Sequence, residues 1–227
     1  MLEVAKPPKH PAKYTDVLLP CIFEEVKHCE KVLDPFAGTG KLAEIRKFGF
    51  VGTIYANDLE RDWLEPNVHG CDYLTYEDAE TLSYPYGYFD AIATSPTYGN
   101  RMADHHNCKD GSKRITYTHC LGKPLQPGNT GSMHFGKQYC EKHTNIYYHL
   151  YDLLKPGGVM VINVSNFIRK GSEVDVCEWT KNALIDIGFQ FKKEYEIHTP
   201  RMGFGANAKA RVQYEKIFVF SKPAGRV

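Results

Sequence analysis

Residues 31–48 read KVLDPFAGTGKLAEIRKF, and this stretch decides the fold. The apolar residues of Lys31–Asp34 predict a short strand, which leads directly into a turn that contains two glycines. Lys41–Phe48 has the pattern of a helix that ends at Gly49. A strand, a glycine turn and a helix in this order are typical of open sheets that bind a ligand at the carboxyl ends of parallel strands. The sequence therefore predicts a ligand site at this turn.

The turn differs from two common nucleotide-binding motifs. A phosphate-binding P-loop has a glycine where this chain has Pro35, and a Ser or Thr where it has Leu42. The dinucleotide motif GxGxxG has its third glycine where this chain has Ala43. The carboxylate of Asp34, which opens the turn, would repel a pyrophosphate and attract a sulfonium or amino group. Both nucleotide-binding motifs are therefore excluded.

Strand and helix patterns alternate along the rest of the chain. Strands are predicted at residues 51–58, 68–73, 88–95, 159–164, 189–197 and 211–220, and helices at 16–26, 139–154 and 173–187. This alternation predicts the α/β fold class, with a mostly parallel sheet, helices on both faces and an antiparallel edge strand. We expect a single domain over residues 1–227, with a long basic insertion at about 101–138.

The composition limits the type of protein that this sequence can form and the compartment in which it is expected. Hydrophobic residues make up 42% of the chain and charged residues 24%, as in soluble globular proteins. The seven cysteines include no CxxC pair, which argues against a disulfide framework and for a reducing compartment. The sequence shows neither an apolar signal peptide nor a run of membrane-spanning length. We therefore expect a cytoplasmic protein with no membrane partner.

Acidic residues follow the second and third predicted strands. Asp58 stands where a carboxylate could accept hydrogen bonds from both hydroxyls of a ribose. Asp72 is expected at the end of the third strand, where it could accept a hydrogen bond from an adenine amino group. One such aspartate is typical of a solvated turn, but three at successive strand ends, with Asp34, favour a shared binding site.

The strand at 88–95 runs into Ser95-Pro96-Thr97-Tyr98. An exocyclic amino group of a base is a poor nucleophile, because its lone pair is delocalised into the ring. A site that methylates this group must accept its hydrogen bonds, align it with the methyl group and hold the base flat. Ser95 and the Pro96 carbonyl could accept, and Tyr98 could stack on a base flipped out of a helix.

These pieces together resemble the S-adenosylmethionine (SAM)-dependent DNA amino-methyltransferases of the N4-cytosine and N6-adenine class. The resemblance rests on DPFAGTG at 34–40, SPTY at 95–98, LKPGG at 154–158 and a final edge hairpin, so it covers most of the chain. It implies a class I methyltransferase (Rossmann-like) fold with a seven-stranded sheet, and SAM as the cofactor. The catalytic residues that it implies are Ser95, Pro96 and Tyr98. The implied cofactor-binding residues are Lys13, Tyr14, Asp34, Phe36, Ala37, Gly38, Gly40, Asp58, Leu59, Asp72 and Ser95.

Two features separate the chain from the family pattern. Thr97 replaces the second proline of the loop, which removes a rigid φ angle. There is also no room for a large target-recognition domain, so the insertion, a homodimer or a partner subunit would have to read the target. Basic residues are expected to contact the phosphates, namely Arg101, Lys113, Arg114 and Arg201.

The resemblance favours DNA over RNA, and the serine of SPTY slightly favours cytosine N4 over adenine N6. One alternative is an RNA methyltransferase acting on guanine N2 or adenine N6. A second is a non-catalytic DNA-binding subunit with the SAM fold. The histidines and cysteines of the insertion match no common zinc-ligand spacing, so no metal is expected.

Overall fold

The fold of the chain is given by a computed structural model, which describes His10 and residues 15–99, 116–199 and 212–225. Strands are numbered in chain order. They are β1 (Lys31–Asp34), β2 (Thr53–Asn57), β3 (Tyr73–Thr75), β4 (Phe89–Thr94), β5 (Leu154–Val164), β6 (Phe167–Arg169), β7 (Ser172–Val174), β8 (Gln190–His198) and β9 (Tyr214–Ser221).

The α-helices are α1 (Leu19–Val26), α2 (Arg61–Leu64), α3 (Tyr117–Leu121), α4 (Lys137–Leu153) and α5 (Val176–Ile187). Short 3-10 helices cover Asp16–Leu18 and Thr130–Ser132, and a longer one covers Lys41–Phe48. Among the helices so described, none is long and apolar enough to cross a membrane.

A seven-stranded sheet forms the centre of the fold, in the order β3-β2-β1-β4-β5-β9-β8. The strands β1 to β5 run parallel to one another, whereas β9 pairs antiparallel with both β5 and β8. The predicted α/β class is confirmed: the sheet is mostly parallel and its antiparallel pairing lies at the β8–β9 edge. Helices cover both faces, as expected for parallel strands with continuous apolar runs.

The alternation of side chains along β1 divides the core into two layers. Val32 packs with α1 and with the Lys41–Phe48 helix, whereas Leu33 packs with α4 and α5 on the other face. Both side chains are fully buried. β1 therefore contributes to both layers of the core. Its last residue, Asp34, lies at the carboxyl ends of the central strands, where the site forms.

Four predicted elements differ from the structure. The strand predicted at 159–164 is β5, which begins at Leu154 and includes the LKPGG segment, whose proline and glycines predict a turn. The third strand is β3 at Tyr73–Thr75 instead of residues 68–73, and Lys41–Phe48 is a 3-10 helix. The helix predicted at 173–187 begins at Val176, because β6 and β7 form a small hairpin before it. The Asp175 side chain caps α5 by accepting from the Glu178 amide, which sets this later start.

Candidate active site

The carboxylate of Asp34 joins the carboxyl ends of β1 and β4. Its Oδ1 accepts hydrogen bonds from Thr94 Oγ1 at 2.7 Å and from the Phe36 amide at 3.1 Å. Its Oδ2 is buried and has no hydrogen-bond partner among the residues that the structure describes. Burial raises the pKa of Asp34 to about 7, although the hydrogen bonds from Thr94 and Phe36 oppose this rise. An unpaired, buried carboxylate oxygen favours a cationic ligand group at this point.

The two glycines of the turn bring its backbone close to other parts of the site. Gly38 and Gly40 have left-handed φ angles of 55° and 82°, which other residues rarely adopt. A Cβ atom at Gly38 would lie 3.1 Å from His10 Nε2, and one at Gly40 would lie 2.8 Å from Cys71 Sγ. His10 therefore lies directly over the turn, and both positions require glycine.

Asp58 lies beside the same turn, just after β2. Its Oδ2 accepts from the Gly38 amide at 2.8 Å, and its Oδ1 accepts from the Glu60 amide at 2.8 Å. Burial raises the pKa of Asp58 to about 7. The turn residues Phe36 and Ala37 and the adjacent Leu59 complete this group. Of the cofactor residues predicted from the sequence, the structure brings together Asp34, Phe36, Ala37, Gly38, Gly40, Asp58 and Leu59.

Asn57 connects these pieces, and sequence reasoning did not identify it. Its Oδ1 accepts from Thr75 Oγ1 and the Glu77 amide, and its Nδ2 donates to the carbonyls of Pro35 and Glu77. The side chain is 1% exposed, and it ties the glycine turn to the segment after β3. A polar residue at the end of an apolar strand was the signal that could have identified it.

The position predicted for Asp72 is wrong. Asp72 precedes β3, and its Oδ2 accepts from the Ile54 amide at 2.7 Å and from Arg46 Nη2 at 2.5 Å. Ile54 lies near the amino end of β2, so the Asp72 carboxylate faces away from the edge that carries Asp34 and Asp58. The error arose because β3 begins later than its sequence pattern indicates. Glu77 and Asp78 are the acidic residues that follow β3.

The SPTY loop follows β4, next to Asp34. Ser95 Oγ and Tyr98 OH lie 3.0 Å apart, and each donates to Asn163 Oδ1, at 3.0 Å and 3.1 Å. Asn163 belongs to β5, the next strand of the sheet, and is 2% exposed. Its position in the apolar run VMVINV, at the carboxyl end of a strand, was a signal that sequence reasoning missed.

Other elements hold the middle and the end of this loop. Thr97 Oγ1 donates to Thr130 Oγ1 at 2.8 Å, and Tyr139 OH donates to the Thr97 carbonyl at 2.6 Å. The Gly99 carbonyl accepts from the Phe135 amide at 2.8 Å and from Arg169 Nη2 at 3.1 Å. The threonine in place of proline thus supplies a hydroxyl contact to the insertion. These anchors are distant in sequence, so no local pattern predicted them.

Six of the predicted site residues lie outside the described part of the chain. They are Lys13, Tyr14, Arg101, Lys113, Arg114 and Arg201. His10, from the same segment as Lys13, is described, and its ring meets the edge of Trp63 at a centroid distance of 4.4 Å. Tyr117 of α3 lies 5.5 Å from the same histidine ring.

His143 packs against the glycine turn. Its ring stacks on Phe36 at a centroid distance of 6.0 Å, and burial lowers its pKa to about 4. The histidine is therefore neutral near pH 7. In the described ranges, no group of three or more His, Cys, Asp and Glu side chains is placed to hold a metal ion.

Comparisons with known proteins agree with this geometry. A family model described as DNA methylase (N6_N4_Mtase) matches residues 89–226, which is more than half of the chain. No curated protein matches the sequence.

Solved structures share the fold at low sequence identity. A SAM-dependent methyltransferase from Methanosarcina mazei has a TM-score of 0.59 and 11% identity, covering 90% of this chain and 97% of its own. The PH0226 protein from Pyrococcus horikoshii has a TM-score of 0.55 and 12% identity, covering 90% and 87%. The [4+2]-cyclase SpnF has a TM-score of 0.59 and 14% identity, covering 92% and 82%. Such likeness establishes the class I methyltransferase fold but not the reaction.

The reaction class follows from the family match, which begins at β4 and includes the SPTY loop. The glycine turn with its buried carboxylate lies before the matched residues, at the neighbouring strand end. The chain belongs to the N6/N4 DNA methylase family and is a SAM-dependent methyltransferase.

Proposed function

We propose that this enzyme transfers the methyl group of SAM to an exocyclic amino nitrogen of a DNA base, with cytosine N4 slightly favoured over adenine N6. The observation that carries the proposal is the 2.7 Å hydrogen bond from Thr94 Oγ1 to Asp34 Oδ1. It joins the turn expected to bind the cofactor to the strand that leads into the SPTY loop. Methyl donor and acceptor would therefore meet at the adjacent ends of β1 and β4.

The residues of the glycine turn fit SAM, which supplies an electrophilic methyl group on a sulfonium. The unpartnered Asp34 Oδ2 would accept from the amino group of its methionine part. Positive charge there would keep Asp34 ionised despite its burial. Asp58 would accept from the ribose hydroxyls, and the backbone at Gly38 and Gly40 would allow close approach. Phe36, Ala37 and Leu59 would line the site, with Lys13 and Tyr14 closing its methionine end.

The SPTY loop would hold the base. Ser95 Oγ and the Pro96 carbonyl accept hydrogen bonds from the amino group, which orients its nitrogen towards the methyl group. The Tyr98 ring contacts the base, and the hydrogen bond of its hydroxyl to Asn163 fixes the direction of that ring. The proton released from the amino group leaves to solvent after transfer. Orientation in the site supplies most of the rate, and no covalent enzyme intermediate is needed.

Target recognition is proposed to use charged residues of the insertion and of the loop before β9. Arg101, Lys113, Arg114 and Arg201 would contact phosphates, which gives an affinity that falls with salt. The insertion alone, a second copy of the chain or a partner subunit would complete the reading of the target.

The direct test incubates the purified protein with SAM and with unmethylated DNA or RNA, followed by digestion to nucleosides and mass spectrometry. N4-methylcytosine or N6-methyladenine from DNA would support the proposal and name the base. Methylated product from RNA alone would overturn the choice of DNA. SAM binding without any product would favour the non-catalytic alternative.

Two variants test the assigned roles in the same assay. Tyr98→Ala should lower turnover by roughly 5- to 150-fold, since base contacts of this kind contribute ~1–3 kcal/mol, and should leave SAM binding unchanged. Asp34→Ala should lose SAM binding. Full activity of Tyr98→Ala would show that Tyr98 does not hold the base.

A further inference from the structure

The hydrogen bonds of Asn163 fix the orientation of its side-chain amide. Its Nδ2 donates to the Lys216 carbonyl in β9 at 3.2 Å. The reverse orientation would place Oδ1 against that carbonyl, where two acceptors would repel each other. Asn163 Oδ1 must therefore face the SPTY loop. The strand β9 pairs directly with β5 here, with Ile217 opposite Asn163 and Lys216 opposite Val164, so the amide is held by the central sheet.

The fixed amide offers one acceptor to two hydroxyl groups, which lie 3.0 Å from each other. Asn163 Oδ1 has two lone pairs and lies 3.0 Å from Ser95 Oγ and 3.1 Å from Tyr98 OH. Each hydroxyl has one proton, and each can place it on this shared acceptor. Ser95 Oγ then has no proton left for a ligand, and it presents lone pairs only. In this state Ser95 accepts hydrogen bonds and does not donate them.

We propose that Asn163 is a positioning residue that makes Ser95 an obligatory acceptor, and so selects bases with an amino group over bases with a carbonyl at the same position. The inference rests on the proposed function, because it concerns the base that this site would hold. An amino group can donate to Ser95, whereas the carbonyl oxygen of uracil or hypoxanthine would face lone pairs. A buried polar group left without a partner makes such discrimination strong.

The main test compares the affinity of the chain for duplexes that carry an amino base with its affinity for duplexes that carry a carbonyl base. Duplexes carry the base found to be methylated, or its carbonyl counterpart: uracil for cytosine, hypoxanthine for adenine. The wild-type chain should bind the amino duplex at least about tenfold more tightly, as expected when one polar partner is lost. Asn163→Leu should reduce this ratio severalfold, with the Pro96 carbonyl retaining part of the preference, while SAM affinity stays within about twofold. An unchanged ratio in Asn163→Leu would overturn the proposal.

A double-mutant cycle separates positioning from general damage. Asn163→Leu should lower kcat about tenfold or more in the wild-type background and distinctly less in Ser95→Ala, because the hydrogen bond to Ser95 is then already absent and only the one to Tyr98 is left to lose. Multiplicative losses would contradict the proposal. Ser165→Ala is the matched control: its buried hydroxyl bonds the carbonyls of Asn166 and Tyr214 and does not touch the SPTY loop. It should retain both kcat and the base preference.

A spectroscopic measurement keeps the inference separate from the proposed function. Tyrosine labelled at Cζ reports the hydrogen bond of its hydroxyl by NMR, and Tyr98→Phe identifies the resonance of Tyr98. That resonance should shift in Asn163→Leu and stay in place in Ser165→Ala. If the wild-type chain methylates no DNA, the proposed function fails, and this shift still decides whether Asn163 holds the Tyr98 hydroxyl proton. An unmoved resonance overturns the inference in either case.

Discussion

The buried carboxylate of Asp34 makes the chain without its cofactor less stable as pH rises. The pKa of this carboxyl is raised from 3.8 to about 7. Between these values the folded state binds a proton that the unfolded state has released, so the free energy of unfolding falls with rising pH. This contribution is fully present below about pH 4 and is lost as pH rises to about 7. Asp58, whose pKa is raised to about 7 by burial, acts in the same direction.

Asp34→Asn should therefore stabilise the chain at pH 8 while it removes SAM binding. The amide keeps an oxygen for Thr94 and Phe36 and removes the buried charge. We expect the midpoint of thermal unfolding to rise by several degrees at pH 8, since about 1 kcal/mol corresponds to ~2–4 °C at this size. The difference should vanish near pH 4. Calorimetry at both pH values and titration with SAM provide the measurement.

Asp72→Asn is the control for this prediction. Its carboxylate bonds the Ile54 amide and Arg46 at the amino end of the strands. The substitution should lower the unfolding midpoint at both pH values and leave SAM affinity unchanged. A stability gain at pH 8 in Asp72→Asn, or none in Asp34→Asn, would contradict the role given to Asp34.

At the level of elements, the β6–β7 hairpin supports the SPTY loop through Arg169. The guanidinium donates to the Phe135 carbonyl from Nη1 and to the Gly99 carbonyl from Nη2, both at 3.1 Å. One side chain thus fixes the end of the SPTY loop against the segment that leads into α4. The planar guanidinium presents its donors in a fixed geometry that spans these two carbonyls, and the compact ammonium of a lysine does not reproduce that geometry.

Arg169→Met should raise the KM for DNA and lower kcat, with SAM affinity unchanged. Loss of two charge-assisted hydrogen bonds should also lower the free energy of unfolding by about 1–3 kcal/mol. Arg169→Lys keeps the charge and should recover only part of either loss. Steady-state kinetics and denaturant unfolding measure both effects. Full recovery in Arg169→Lys would mean that charge alone matters, not the bridge between carbonyls.

Glu60, three residues after the end of β2, holds the described part of the insertion. Glu60 is 1% exposed, and its Oε1 accepts from the Gln126 amide at 2.6 Å and from Asn129 Nδ2 at 2.9 Å. The next residue after Asn129 is Thr130, which contacts the SPTY loop. The described part of the insertion therefore links the segment after β2 to the SPTY loop.

Glu60→Ala should loosen this link. We expect faster hydrogen exchange at backbone amides of residues 117–135 and a loss of about 1–3 kcal/mol in the free energy of unfolding, because two part-buried hydrogen bonds to a buried carboxylate are lost. SAM should also bind more weakly, since Tyr117 of this segment packs on His10 over the glycine turn. Glu65→Ala, which removes an exposed partner of Arg61, is the control and should change neither measurement. Unchanged exchange in Glu60→Ala would argue against the link.

For the molecule as a whole, the parallel sheet brings the site residues together at the carboxyl ends of its strands. The adjacent strands β2, β1, β4 and β5 end in or near Asn57, Asp34, Thr94 and Asn163. A ligand that binds at these strand ends binds only the folded state, so its binding raises the free energy of unfolding of the whole sheet. At one hundred times its dissociation constant, SAM should add about 2.7 kcal/mol to the free energy of unfolding.

This stabilisation should raise the midpoint of thermal unfolding by roughly 5–10 °C for a chain of this size. A series of SAM concentrations in thermal unfolding measures it, and Asp34→Ala should remove the shift. A shift of equal size in Asp34→Ala would place the cofactor elsewhere. The absence of any shift in the wild-type chain would contradict SAM binding at these strand ends.

The order of elements and the two motifs were predictable from local sequence. Apolar runs, glycines and prolines act over a few residues, so the positions of β1, β4 and α4 and the turn after Asp34 could be derived without a structure. The same reasoning failed for Asp72. The start of β3 depends on its pairing with β2, a contact between segments that are separate in sequence.

By itself, the sequence determined the fold class, the glycine turn and the presence of a Ser95–Tyr98 loop after the fourth strand. Only the tertiary structure decided which carboxylates face the site and which side chains hold that loop. Asn163, Tyr139 and Arg169 reach the loop from elements 40 or more residues away, at distances that no local pattern encodes. The reason is physical: hydrogen-bond partners and burial, which set the chemistry of the site, exist only after the sheet has brought distant strand ends together.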